Sequence, residues 1–574
     1  MVKVKINNKE YSFKDNITAL EACREIGIDI PTLCYLKGLN ESSNCRVCLV
    51  EVKGYNKLMT SCNLKLTEGM EIYTSTPRVI EARKCAVEFL LSNHSNRCLN
   101  CHANGRCELQ EVSKMVGAKE RITSDIKEAI VDEFSASICR DSSKCILCGR
   151  CIEACKKYQG LGILGFENRG YETFVSPFAN RSFKDVECIK CGQCVNVCPT
   201  GALYVKEEIE NVLKAFASGK KVIVQTAPAV RVSLGEYFGC DIGTNVTGKM
   251  ISALRKLGFY RVYDTNFGAD LTIMEEANEL IGRIKKGKTM PMFTSCCPGW
   301  VKYVEDNYKE LTGHLSSCKS PHMMLGALIK SYFAKTNKLK REDIYTVSIM
   351  PCSAKKEEKL LKNTYGDYDV DAVLTTRELA RLIKMAGIDF NSLEDEEFDQ
   401  DLFGDYSGAG AIFGVSGGVM EAALRTAYYT LTGNEYPLIK FEQVRGKENV
   451  KEASIDIDGT KLNIAVVHTM KAVKPILEEV KNGTCKYDFI EVMACPLGCI
   501  NGGGQIHQKP LLMKKGDRDN ILDIKFNRAK GLYSIDDKKD LRQSHNNKQI
   551  QELYKKYLKK PGSKLAHELL HREY

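Results

Sequence analysis

The chain has 574 residues, 26 of them cysteine, and a formal net charge of +10 from 83 Lys and Arg against 73 Asp and Glu. That length calls for several domains; no apolar run approaches the roughly 18 residues of a membrane span, and Met1-Val2-Lys3-Val4-Lys5-Ile6 alternates like a strand where a signal peptide would be apolar. So many closely spaced cysteines in a chain read as cytoplasmic point to metal rather than disulfides, and the modest basic charge suits an acidic electron carrier as partner, with no nucleic acid and no membrane expected.

Residues 1–78 read as a strand, a turn at Asn7-Asn8-Lys9, a second strand, a helix over 19–26, and a loop holding Cys34, Cys45 and Cys48, with Cys62 later. A C-x2-C pair with a distant fourth cysteine grips a two-iron cluster, although the pair alone also suits zinc. Ten residues separate Cys34 from Cys45, a departure from the plant-ferredoxin spacing. Residues 79–126 carry His94-x3-Cys98-x2-Cys101-x5-Cys107, one imidazole and three thiols that by themselves fit zinc or a cluster. Residues 127–209 carry Cys145-x2-Cys148-x2-Cys151-x3-Cys155 and Cys188-x2-Cys191-x2-Cys194-x3-Cys198-Pro199. In this bacterial two-cluster pattern the fourth cysteine of each run serves the other cluster. One cluster then takes Cys145, Cys148, Cys151 and Cys198, and the other Cys155, Cys188, Cys191 and Cys194.

From 210 to 574 the pattern is α/β. Val222-Ile223-Val224-Gln225 reads as a strand running into Thr226-Ala227-Pro228-Ala229, and Arg261-Val262-Tyr263 as another running into a loop over 266–270. A helix over 271–286 follows, placing Glu276, Glu279 and Arg283 near one face. Three apolar runs, 290–293, 345–350 and 489–493, each end in a cysteine motif: Thr294-Ser295-Cys296-Cys297-Pro298-Gly299-Trp300, Met350-Pro351-Cys352-Ser353-Ala354-Lys355-Lys356, and Met493-Ala494-Cys495-Pro496-Leu497-Gly498-Cys499. Ligands bind at the carboxyl edge of open α/β sheets, and one, one and two thiolates from these stretches meet the need of an iron-sulfur cubane. Asn501-Gly502-Gly503-Gly504 lacks bulk and permits close backbone approach. Residues 407–414 are glycine-rich, but match neither a dinucleotide fingerprint nor a P-loop. The final segment, from Leu532, is basic and helical in pattern, and alone would pass for a solvated helix pair.

These three motifs resemble the signature stretches of the catalytic domain of iron-only ([FeFe]) hydrogenases. Nearly the whole chain resembles the clostridial single-chain form with accessory clusters, and also the hydrogenase subunit of NADP-reducing complexes; the segment from Leu532 to Tyr574 resembles the C-terminal wrap of the single-chain form. The resemblance implies a multidomain α/β and α+β fold: a ferredoxin-like β-grasp domain, a small cluster domain built on one histidine and three cysteines, a bacterial two-[4Fe-4S] ferredoxin domain and an α/β catalytic domain, in the order of the four segments above. It implies reversible conversion of two protons and two electrons to H2, with one [2Fe-2S] cluster, three accessory [4Fe-4S] clusters and an H-cluster. Cys297, Cys352, Cys495 and Cys499 become the cubane ligands, with Cys499 bridging to a two-iron subsite that carries CO, cyanide and a dithiolate. Ala227, Pro228, Met350 and Met493 pack around that subsite, and Lys355 hydrogen-bonds a cyanide. Protons follow Cys296, a water, Glu276, Ser316, Glu279 and Arg283. The implied partners are a ferredoxin or flavodoxin-type carrier and maturation proteins, in an anaerobic, cytoplasmic setting. A subunit of an NAD(P)-linked complex is the main alternative; a hydrogen sensor or an iron-sulfur assembly relative is the other.

The chain departs from the commoner family pattern around the site. Ser353-Ala354 stands where Thr-Ser is common, His322 where glutamine is usual, Leu497 where glycine separates the two cysteines, and Ala229 where serine is frequent. Such outer groups tune potential and ligand basicity. Restoring the commoner residues together (Ala229→Ser, Ser353→Thr, Ala354→Ser) is expected to change the ratio of H2 oxidation to H2 evolution, measured with one dye couple in both directions.

Overall fold

In the computed structural model of the chain, residues 1–120, 129–287, 289–436, 442–457, 459–508 and 520–574 are described. The expected boundary at 126/127 lies outside the described residues. Contacts divide the chain into two units, one of Met1–Val186, Gln193–Tyr204 and His507–Ile524, the other of Glu187–Gly192, Val205–Ile506 and Lys525–Tyr574.

In the first unit, Val2–Ile6 alternates buried and exposed residues and turns through Asn7 and Asn8, at φ 50° and 67°, so that Ile6 pairs with Lys9. Two left-handed residues match the strand twist that a two-residue hairpin needs. The resulting five-stranded sheet runs in the order Lys9–Phe13, Val2–Ile6, Glu71–Tyr73, Leu49–Val52, Met59–Thr60. Thr18 and Glu21 form a capping box at the start of helix Ala19–Glu25, whose Ala19, Leu20, Ala22 and Cys23 face the core. Helices Pro77–Ser92 and Glu108–Val116 flank the His-Cys segment.

The second unit contains two four-stranded sheets. The first, Arg261–Asp264, Lys221–Thr226, Ile344–Met350, Ala372–Thr375, is wholly parallel. The second, Met292–Phe293, Phe489–Met493, Thr460–His468, Val450–Ile457, is parallel except for its last pair. The Cys352 motif leaves the first sheet, and the Cys297 and Cys495 motifs leave the second. Apart from half-buried Tyr345, every residue of the strands that deliver the motifs is buried, as a parallel sheet covered on both faces requires.

The helix expected over 271–286 begins earlier, spanning Thr265–Lys286. Its N-cap, Asp264, accepts from the Asn266 amide and receives both Arg231 terminal nitrogens at 2.8 and 2.7 Å. Asp and Asn just after a strand read as loop residues, but this ion pair turns them into a helix start. The C-terminal segment packs inward, as its resemblance to the family's C-terminal wrap implies and its own pattern does not: Ile550, Leu553, Leu558, Leu569 and Leu570 join a core with Phe267, Leu271 and Leu328. Among the described residues no helix is long and apolar enough to cross a membrane.

Arg231 and Asp264 are both 0% exposed. Removing one partner strands the other's charge, which costs about 3–5 kcal/mol. Asp264→Ala is therefore expected to lower the unfolding midpoint sharply, measured by thermal or denaturant melting, and more than Arg231→Met with Asp264→Leu combined.

Candidate active site

Cys297 follows a short strand and is the N-cap of helix Pro298–Asn307, where amides and the helix dipole favour a thiolate. Its Sγ accepts from the Ala494 amide at 3.4 Å, tying the first motif to the third. Cys352 sits at the end of strand Ile344–Met350, and Cys495 and Cys499 follow strand Phe489–Met493. All four line one cavity of about 70 Å³. Cys296, Lys355, Met350, Met493, Ala227, Pro228, Ala229 and His322 line it too. Burial pushes the four thiols up, Cys352 to about 11. A positively charged centre is what holds such sulfurs as thiolates, so the donor set fits a cubane. Gly502 lines the cavity, and the Gly502–Gly504 run admits protein backbone: a Cβ on Gly502 or Gly504 would meet Pro351 at 2.2 and 3.0 Å, and one on Gly503 would meet the Cys191 carbonyl at 2.4 Å. The Ser353 hydroxyl donates to the Lys190 carbonyl at 2.7 Å, holding the same segment.

Lys355 is anchored by two bonds, to Ser320 Oγ at 3.1 Å and to Glu358 Oε2 at 2.9 Å. Burial acts to lower its pKa, but Glu358 and Cys352 outweigh burial and the net shift is upward. The same Glu358 oxygen lies 2.7 Å from His322 Nε2. Burial, then Lys355, depress His322 to about 4, so the ring is neutral and donates to the carboxylate. Glu358 carries no signal in the sequence beyond its place one helical turn after Lys355.

Glu276 is 1% exposed, and among the described residues neither of its oxygens has a well-formed hydrogen bond. Burial, then Glu279, raise it to about 8, a rise that the nearby Ser316 hydroxyl and Ser295 amide temper. Burial, then Glu276, push the Cys296 thiol well above its ordinary value. Ser316 Oγ donates to Glu279 Oε2 at 2.9 Å, and Arg283 Nη2 donates to Glu279 Oε1 at 2.6 Å. Arg283 also donates to the carbonyls of Thr289, Gly313, His314 and Leu315, which makes it more than a surface ion pair. The outer half of the expected path is thus hydrogen-bonded, whereas Glu276 stands near Ser316 with the Ser316 hydroxyl turned to Glu279.

In the first unit, Cys34, Cys45, Cys48 and Cys62 are all buried. The first two lie within hydrogen-bonding reach of each other, as do the last two. His94 is buried, its Nδ1 has no partner among the described residues, and burial, then Lys144, hold it neutral at about 4. A neutral imidazole with a free buried nitrogen suits a metal, and Cys98, Cys101 and Cys107 follow it in the same unit. Cys145, Cys148, Cys151 and Cys198 line one cavity of about 20 Å³. Cys155 and Cys194 belong to the first unit, and Cys188 and Cys191 to the second. Sequence reasoning misses two connecting groups. The Asn40 amide donates to the Cys34 and Cys148 carbonyls at 2.8 and 3.0 Å, and the buried Arg150 reaches Glu108 at 3.0 Å and the Cys34 carbonyl at 3.3 Å.

Family models match along the chain: "2Fe-2S iron-sulfur cluster binding domain" at 1–77, "NADH-ubiquinone oxidoreductase-G iron-sulfur binding region" at 83–121, "4Fe-4S dicluster domain" at 144–202, "Iron only hydrogenase large subunit, C-terminal domain" at 220–503, and "Iron hydrogenase small subunit" at 522–574. The NADP-reducing hydrogenase subunit HndD of Solidesulfovibrio fructosivorans is 45% identical, over 100% of this chain and 99% of its own. Iron hydrogenase 1 of Clostridium pasteurianum is 42% identical over 100% of both. The solved apo [FeFe]-hydrogenase HydA1 of Chlamydomonas reinhardtii is 39% identical, covering 63% of this chain and 98% of its own at a TM-score of 0.56. The fold and thiol set define an iron-sulfur oxidoreductase. The chain belongs to the iron-only ([FeFe]) hydrogenase family, as a clostridial-type enzyme with N-terminal iron-sulfur domains that interconverts H2 with protons and electrons.

Two glycines test the backbone contacts. Gly503→Ala brings a Cβ to 2.4 Å from the Cys191 carbonyl and 2.5 Å from Ser353 Oγ, and overpacking of this kind costs about 1–3 kcal/mol. Gly282, inside helix Thr265–Lys286, has nothing within 4 Å of its Cβ direction, so Gly282→Ala is expected to stabilise by up to about 1 kcal/mol. Melting midpoints should move in opposite directions.

Proposed function

We propose that Cys297, Cys352, Cys495 and Cys499 hold the cubane of an H-cluster, with Cys499 bridging to the two-iron subsite. The observation that carries this is the convergence of those four thiols with Cys296, Lys355, Met350 and Met493 on one cavity. Bound there, the cluster supplies the metal centre at which two protons and two electrons become H2. Met350, Met493, Ala227 and Pro228 exclude water from it. Lys355, oriented by Ser320 and Glu358, presents its ammonium to an anionic diatomic ligand.

Cys296 holds the proton nearest the centre, and Glu276 refills it. With Glu276 raised to about 8, its carboxyl is protonated at neutral pH and has no strong bond to break before donating. Ser316, Glu279 and Arg283 continue the path outward. The three N-terminal domains accept and hold electrons from a ferredoxin or flavodoxin-type carrier. Cys34, Cys45, Cys48 and Cys62 would hold a [2Fe-2S] cluster, His94, Cys98, Cys101 and Cys107 a [4Fe-4S] cluster, and the two quartets of the paired runs one each. We place these in a β-grasp domain (1–78), a one-histidine, three-cysteine cluster domain (79–126), a two-cluster ferredoxin domain (127–209) and an α/β catalytic domain (210–574), in the cytoplasm, with maturation proteins inserting the two-iron subsite. The likeness to a subunit named for NADP reduction supports a second reading, membership of an NAD(P)-linked complex, which co-purifying flavoprotein subunits would reveal.

The test is anaerobic H2 evolution from a reduced low-potential dye before and after loading with a synthetic two-iron subsite. Activity should appear only on loading. Protein that binds the subsite and stays inactive would speak for a sensor, and protein that binds none would defeat the assignment. In loaded protein, Glu276→Gln and Cys296→Ala should each lower the rate by about 10²–10⁴-fold. The unmutated rate should fall as pH rises through about 8, where Glu276 becomes a carboxylate. The linked stability has the same sign: the folded state favours protonated Glu276, so stability present below the ordinary 4.5 is lost as pH rises toward 8. Glu276→Gln should remove that slope.

A further inference from the structure

Glu279 is approached from two sides, and only one belongs to the path above. Away from Arg283, the Ser317 hydroxyl donates to Glu279 Oε2 at 3.1 Å and lies 2.8 Å from His571 Nδ1. His571 Nε2 is 3.1 Å from Glu275 Oε2. Glu275 is fully buried, and its oxygens also accept from Tyr554 at 2.6 Å and from the Gly562 amide at 2.8 Å. Ser317 Oγ thus lies within hydrogen-bond distance of both the Glu279 carboxylate and the ring, and the ring spans Ser317 and Glu275, giving a continuous run of groups able to pass a proton.

His571 also lines a cavity of about 690 Å³ whose other lining residues include Lys362, Thr364, His567 and Glu573, all exposed. The charged and titratable groups around the ring are Glu275 and Glu279 on helix Thr265–Lys286, Cys318 across an isolated bridge, Tyr554, His567 with its ring centroid 4.4 Å away, and Arg572 next in the chain. None of them is a proposed cluster ligand.

We propose that His571 is a second proton entry, joining the path at Glu279 through Ser317 and working in parallel with Arg283. The Nδ1 proton passes to Ser317 Oγ as the Ser317 hydroxyl proton passes to Glu279 Oε2. The neutral imidazole then takes a proton from a buffer acid or hydronium in the cavity, and no electron moves. His571 acts through Glu279, so the inference rests on the relay reading of Glu276 and Glu279.

The experiment measures H2 evolution against pH in loaded enzyme carrying His571→Asn, Arg283→Ala, both together, or Glu276→Gln. Asparagine keeps a donor toward Ser317 and cannot carry the proton. Parallel entries predict that each single variant keeps at least about a tenth of the rate, while the double variant loses at least about tenfold more than the product of the single losses. Added imidazole should restore His571→Ala about threefold or more through the cavity. In protein without the two-iron subsite, His571→Asn should shift the infrared carboxylate band of Glu279, whose Oε2 accepts from Ser317. If His571 variants melt early, Ser317→Ala breaks the same link with His571 still on Glu275, and the same outcomes apply. An unshifted pH profile and carboxylate band, with a double variant no worse than Arg283→Ala, overturns the second entry. A fully active Glu276→Gln overturns instead the relay on which it rests.

Discussion

The buried ion pair of Arg231 and Asp264 is the interaction that anchors the first turn of the helix on which the proposed proton relay rests. Asp264 ends a strand of the first sheet and caps the helix that carries Glu275, Glu276, Glu279 and Arg283. Two charges removed from water hold only when the geometry is good, and here the guanidinium meets both carboxylate oxygens. The carboxylates about three to four turns further on inherit their direction from that fixed first turn. A rigid helix is a more exact platform than a loop for groups that must pass protons over hydrogen-bond distances.

Along that helix the environment divides chemically similar residues. Glu276 is buried without a well-formed bond and is pushed up to about 8, whereas Glu279, three residues on, is supplied with donors by Ser316, Ser317 and Arg283. Glu275, its neighbour, faces Tyr554, Gly562 and His571. Desolvation favours the neutral acid and hydrogen bonding to the anion favours the charged one. Three glutamates along one short stretch therefore take three roles, set by what surrounds them.

The same logic runs through the cluster pocket. Lys355 and His322 share one carboxylate oxygen of Glu358, so the histidine that departs from the commoner family pattern is coupled to the ammonium facing the cavity. The loop containing Cys191 touches the Gly503 backbone so closely that no side chain fits between. The Cys191 carbonyl also lies 3.9 Å from Cys495 Sγ. These contacts bring the Cys191 loop against the segment that carries Cys495 and Cys499.

The sequence by itself determined the chemistry that local spacing encodes. The paired cysteine runs, the C-x2-C loop and the three motifs each carry their donors within a few residues, and the strands before Cys352 and Cys495 stand within one residue of their expected bounds. It also determined the i, i+4 pairing of Glu279 with Arg283. What only tertiary structure decided depends on residues distant in the chain. The two-sheet architecture, the early helix start imposed by Arg231, the burial of the basic C-terminal segment, and the partners Asn40, Arg150, Ser317 and His571 carry no periodic or spacing signal. His571 lies 254 positions from Ser317 and 296 from Glu275. A histidine near a chain end reads as solvated until long-range packing of the Leu569 and Leu570 core draws it inward, because burial and hydrogen-bond complementation are properties of the folded whole and not of any window of sequence.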